Sequence, residues 1–137
     1  MKTILSGMIV VLACALTSAA QETIPLKLVQ TVPVPGVIRK WDHFGVDLKG
    51  NRLFVTSEEE PAVEVFDLKT VQHIRTLTEF KEPHNVLPVP DMGKIFVVDG
   101  EASEIKILDY RSYELIGHIP LTIDADPIAY DLSLIHI

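Results

Sequence analysis

The distribution of apolar and polar positions along this chain is that of short β-strands. Leu53-Phe54-Val55-Thr56 is a continuous apolar run, which predicts a strand buried on both faces. Val63, Val65 and then Asp67 alternate with period two, and Glu64 points to the opposite face. A turn follows at Asp67-Leu68-Lys69-Thr70, where the Asp side chain can accept backbone N–H groups two residues on. A last strand is expected over residues 72–77. Upstream, residues 44–47 provide a first strand, ended by Lys49-Gly50-Asn51.

The same pattern then recurs. Residues 51–78, NRLFVTSEEEPAVEVFDLKTVQHIRTLT, superimpose without a gap on residues 93–120, GKIFVVDGEASEIKILDYRSYELIGHIP, at an offset of 42. Phe54, Val55, Asp67 and Ile74 meet their identities in Phe96, Val97, Asp109 and Ile116. Val63/Ile105, Val65/Ile107 and Phe66/Leu108 keep apolar character, and Lys69/Arg111 with Thr70/Ser112 keep the polar turn. Residues 85–89, ended by Pro90-Asp91-Met92-Gly93, supply the first strand of the second copy, and residues 114–121 hold its last.

Four short strands in about 40–45 residues is the period of a β-propeller blade. Paired helices do not fit, because eight prolines between Pro33 and Pro127 interrupt them. A β-sandwich with a duplicated segment is the rival architecture. The expected fold is therefore all-β: a propeller fragment with two four-stranded antiparallel blades, about residues 42–78 and 83–121, and the start of a third near residue 126. Residues 24–36 alternate like a single outer strand and are expected to act as an N-terminal closing strand, although the blade they would complete is not in the sequence. The partial propeller then covers residues 21–131. Residues 132–137, LSLIHI, depart from the repeat and are expected to be a non-native or truncated tail without functional weight.

Residues 1–20 have a different character. Lys2 precedes an apolar run over residues 4–16, and Ser18-Ala19-Ala20 offers a small-residue cleavage site before Gln21, the pattern of a secretory signal peptide. The run is too short to span a bilayer comfortably, so no membrane span is expected. Cys14, the only cysteine, sits in a loose lipobox, Val11-Leu12-Ala13-Cys14, and a lipid anchor there is the alternative to simple cleavage. Either way the protein is expected to be exported to the periplasm or the exterior. Cleavage at Gln21 would leave no thiol for a disulfide, a nucleophile or a cysteine zinc site. It would also move the net charge from −7 to −8, and with no basic patch nucleic acid is not an expected partner.

The stretch PHNVLPVPDMGKIFVVDGEASEIKILD resembles the YVTN-type β-propeller repeat, in which a Pro precedes a first strand, Pro-Asp-x-Gly makes the turn, and an apolar-aromatic-Val strand follows. Pro83, Pro90, Asp91, Gly93, Phe96, Val97 and Asp109 match that pattern. The first copy departs from it: Asp42 stands for the leading Pro, and Asp47-Leu48-Lys49 stands for Pro-Asp. WDHFGVDLKGNRLFV and DADPIAYD resemble secreted bacterial YncE-like members of the group. The resemblance implies the fold and leaves the activity open.

His43, His84 and Asp126 occupy matching positions in three successive units, each where an innermost strand begins. In a propeller these positions crowd one mouth of the central channel, where they could bind a metal or a small ligand. The plainer reading is that they cap strand ends and meet water. Asp42 beside His43 suggests a dyad, but strand neighbours point to opposite faces. Glu58-Glu59-Glu60 reads as a solvated loop tip, His73 and His118 as surface residues, and Trp41 as core. No hydrolase nucleophile turn, zinc-protease helix or phosphate loop occurs. The expected function is that of a non-enzymatic binding or scaffold propeller, its partner a small molecule or protein of unknown identity, with no catalytic residue and no cofactor. The alternative is a metal-assisted hydrolase of the gluconolactonase-like propeller type, with a divalent ion at the axis.

Overall fold

The computed structural model describes residues 26–34, 40–122 and 125–131. Eight strands follow in chain order: β1 (Trp41–Asp47), β2 (Arg52–Ser57), β3 (Ala62–Asp67), β4 (His73–Leu77), β5 (Pro83–Val89), β6 (Lys94–Asp99), β7 (Glu104–Asp109) and β8 (Leu115–Pro120). They make two four-stranded antiparallel sheets in sequential order, β1-β2-β3-β4 and β5-β6-β7-β8. This is the all-β, two-sheet arrangement expected from the repeat. The expected leader, the Cys14 anchor site and the tail lie outside the described residues.

The chain divides into two compact units, residues 1–31 and 32–137. Of the first, residues 26–31 are described, and they form no strand. Residues 32–34 and 125–131 of the second unit are likewise without assigned strand. An isolated outer or inner strand has no ladder to join until the rest of its blade is present.

The turns repeat the same carboxylate-to-backbone bonds. The Asp67 carboxylate accepts the Lys69 and Thr70 N–H groups at 2.9 and 2.7 Å, and the Asp109 carboxylate accepts those of Arg111 and Ser112 at 2.8 Å each. These donors hold both carboxyls below the usual carboxylate range, led by the Thr70 N–H in one turn and the Ser112 N–H in the other. Each turn closes through a residue with positive φ, Val71 at 57° and Tyr113 at 65°.

The two sheets stack face to face. Phe54, Val63 and Val65 of the first meet Val86, Ile95, Val97 and Leu108 of the second in one buried cluster. Register explains the division: Phe54 pairs with Val65, so both side chains leave the sheet on the same side, while Leu53 and Val55 leave on the other. The inner strands β1 and β5 lie close because Gly45 carries no side chain. A Cβ there would sit 2.5 Å from the Val86 carbonyl oxygen.

A polar clasp ties the sheets at one end. The Arg52 guanidinium donates to the buried Asp47 carboxylate from Nε at 3.0 Å and from Nη2 at 2.8 Å. Its Nη1 reaches the other sheet, donating to the Tyr110 carbonyl at 2.9 Å and the Tyr113 hydroxyl at 2.8 Å. The Tyr110 hydroxyl returns to Asp47 at 2.7 Å. Burial pushes the Asp47 carboxyl up, but the Gly50 N–H, the Tyr110 hydroxyl and the Arg52 charge outweigh it and leave its pKa lowered.

The outer face of the first sheet stays open. Phe44 and Val46 are 62% and 55% exposed. Trp41, expected in the core, is 39% exposed and lines an apolar hollow with Val32, Val34, Leu53 and Phe66. Among the described residues no blade packs on that side, so Trp41 stays partly exposed.

Candidate functional site

The inner strands bring His43 (β1) and His84 (β5) to one end of the sheet pair, and Thr56 fixes their backbones. Its hydroxyl accepts the His43 N–H at 2.9 Å and donates to the His84 carbonyl at 2.8 Å. Thr56 is fully buried, so this bridge is shielded from water. Asp99 braces the approach to His84. Its buried carboxylate accepts the Lys81 N–H at 3.1 Å and the Glu82 N–H at 2.8 Å, and pairs with Lys106 at 2.9 Å. Burial pushes the Asp99 carboxyl up, yet the Glu82 N–H and the Lys106 ammonium more than compensate, and its pKa is lowered.

The three residues expected at the channel mouth do not meet as one ring. His43 Nδ1 lies 2.9 Å from Asp42 Oδ1 and 3.8 Å from Asp126 Oδ1. His84 Nδ1 lies 3.4 Å from Asp42 Oδ2 and 3.5 Å from Glu58 Oε1. Asp42 therefore joins two groups, Asp42-His43-Asp126 and Asp42-Glu58-His84, and in each the ligating atoms lie within 4.8 Å of one another. Both groups have donor sets that suit a divalent ion.

Two sequence-based expectations are corrected here. Asp42 and His43 were expected on opposite faces of a strand, yet their side chains touch. A register shift between Trp41 and Phe44 interrupts the pleat and removes the alternation on which that expectation rested. Glu58 was expected in a solvated loop tip, yet its side chain is only 21% exposed. Its other oxygen, Oε2, is held by the Lys40 ammonium. Glu59 and Glu60 are exposed, as expected. The exposed His118 also matches its expected place on the surface. His73 is exposed, as expected, and turns its Nε2 to the fully buried Glu64 carboxylate at 2.6 Å.

Charge at the mouth follows from this geometry. Contact with the Asp42 carboxylate raises the His43 pKa above its ordinary value, burial opposes the rise, and the charges of Asp42 and Asp126 add to it. A carboxylate-rich rim of this kind favours a cationic guest. Another hollow lies elsewhere, a groove of about 450 Å³ between the outer strands lined by Arg75, Phe80, Lys106 and Tyr113. Its cations are already engaged, Lys106 by Asp99 and Glu104, and Arg75 by the Tyr113 ring.

No protein-family profile matches the chain, and no curated protein sequence matches it either. Its architecture is similar to that of two solved structures. Hydrazine synthase of Kuenenia stuttgartiensis superimposes with a TM-score of 0.57 at 16% identity, over 68% of this chain and 28% of that one. The periplasmic gluconolactonase of Pseudomonas aeruginosa does so with a TM-score of 0.53 at 14% identity, over 69% of this chain and 30% of that one. Both are propeller proteins, so the paired sheets are β-propeller blades. The chain spans less than a third of the length of either neighbour. Among the described residues no helix is long and apolar enough to cross a membrane.

Proposed function

We propose that this chain is part of an exported β-propeller of the YVTN-repeat type, which binds a small polar or cationic ligand at its channel mouth and does not transform it. One observation carries the reading: Asp42, His43, Glu58 and His84, drawn from both blades, converge around a single carboxylate at the mouth, with Asp126 beside them. The repeat-matching turns at Asp67 and Asp109 support the YVTN assignment. The export assignment rests on the charged-apolar-small pattern of residues 1–20.

A second reading is favoured by the same donors. A divalent ion held by an imidazole and carboxylates can lower the pKa of a bound water and make a hydrolase, and one structural neighbour is named a gluconolactonase. The test is to incubate the longest natural protein that contains this repeat with gluconolactone and follow acid release. In parallel, small molecules retained by it are compared with those retained by its His43→Ala variant. Retention that is lost in the variant, without acid release, supports the binding reading. Turnover that disappears with the mouth variants establishes the hydrolase. For export, residues 1–21 fused to a reporter should carry it across the inner membrane with processing at Gln21, whereas a lipid on Cys14 would establish the anchored form.

A further inference from the structure

We infer that Asp42, Glu58 and His84 form a three-ligand site for a divalent transition-metal ion of the zinc class, with Glu82 as the outer carboxylate that orients His84. The inference rests on the mouth being a binding site and names what binds there. Spacing is the first argument. Two ligands on a tetrahedral ion with bonds of about 2.0–2.1 Å stand about 3.3–3.4 Å apart. His84 Nδ1 stands 3.4 Å from Asp42 Oδ2 and 3.5 Å from Glu58 Oε1. All three ligand atoms lie within 4.8 Å of one another, so the two edges at His84 already have the spacing of a bound ion and the third is within reach of side-chain adjustment.

Orientation is the second argument. A metal-bound imidazole characteristically gives its other N–H to a carboxylate, which fixes the tautomer and raises the basicity of the ligating nitrogen. The other ring nitrogen of His84, Nε2, lies 3.6 Å from Glu82 Oε2, just beyond hydrogen-bond distance, so a small side-chain shift on metal binding would close that bond. Glu82 is itself held by its backbone N–H on the buried Asp99. Lys40 engages Glu58 Oε2 and leaves Oε1 directed at His84.

Donor chemistry is the third argument. One imidazole with two carboxylates suits zinc, whereas calcium takes six to eight oxygens at about 2.3–2.6 Å. Three protein ligands also leave one coordination position for water or a guest group. His84 is 13% exposed and Asp42 20%, so such a site is sheltered but keeps access to solvent.

The test titrates zinc into the intact chain, first stripped with a chelator, at about pH 7.5. Calorimetry reads affinity, and cobalt substitution reads geometry through the visible bands of the tetrahedral ion. Saturable binding of one ion per chain is expected. It should be lost in His84→Ala and weakened about 10–100-fold in Glu82→Gln, while His118→Ala, on the outer strand, should bind like the wild type. Circular dichroism shows whether His84→Ala keeps its sheet, and Glu82→Gln carries the test if it does not. Absence of saturable zinc binding, or equal binding by His84→Ala and Glu82→Gln, overturns the inference. If the stripped protein takes up no zinc but still retains a small molecule that His43→Ala loses, the metal site fails and the binding mouth stands. If neither guest is bound, both fail.

Discussion

Replacing Arg52 by Met removes the charged centre of the clasp between the blades while keeping a side chain of similar length. Arg52 is 11% exposed and Asp47 0%, so the variant leaves a buried carboxylate without its counter-charge. Breaking such a pair costs about 3–5 kcal/mol. The lower end applies here, because Asp47 keeps the Gly50 N–H at 2.8 Å and the Tyr110 hydroxyl at 2.7 Å. A two-blade unit of this size holds roughly 4–12 kcal/mol in total, so the variant should lose a large share of its stability. With a urea m-value of about 1.5 kcal/mol/M, the midpoint should fall by about 2 M. The double variant Asp47→Asn/Arg52→Met leaves neither charge buried and should recover most of that loss. Acidity supplies an independent check. The Asp47 pKa is lowered in the folded state, so its stabilising contribution is fully present above the unfolded value of about 3.9 and is lost as pH falls through the folded one. In Arg52→Met the carboxyl loses its counter-charge, one of the groups that keep it ionised, and the gap from wild type should narrow as pH falls below about 5. Urea titrations followed by circular dichroism at several pH values measure both effects. Equal losses in the single and double variants, or a gap independent of pH, would refute the clasp.

Three other outcomes follow from the same packing. Thr56→Val keeps shape but deletes the hydroxyl that joins His43 to His84, and should cost about 1–3 kcal/mol in a urea titration because buried backbone groups lose their partner. Gly93 (φ 65°) meets nothing within 4 Å, and its repeat counterpart Asn51 holds φ 54°; Gly93→Asn should therefore be mild, while Gly93→Val should cost about 1–2 kcal/mol through backbone conformation alone. Phe44→Glu, on the open face of the first blade, should reduce concentration-dependent association of the chain in sedimentation velocity, and unchanged association would place the sticky surface elsewhere.

The strands and turns were legible in the sequence because their causes are local. Alternation sets which face a residue takes, a leading Asp closes its turn on N–H groups two and three residues on, and a 42-residue repeat applies both rules twice. The same logic located His43 and His84 at the starts of the inner strands. What sequence reasoning missed are contacts between residues whose neighbours lie in another strand or blade. Asp42 was set aside by the alternation rule, and only the bulge between Trp41 and Phe44 turns its carboxylate toward both histidines. Glu58 reads like its exposed neighbours, and Lys40 together with the sheet-to-sheet approach draws it alone into the mouth. Arg52 looks like an ordinary strand-edge cation until Tyr110 and Tyr113 arrive from 58 and 61 residues away. The elements were written into the sequence by short-range periodicity. Which carboxylates share a histidine was decided by tertiary structure, because that depends on how a bulge and a blade interface aim side chains that the chain order keeps apart.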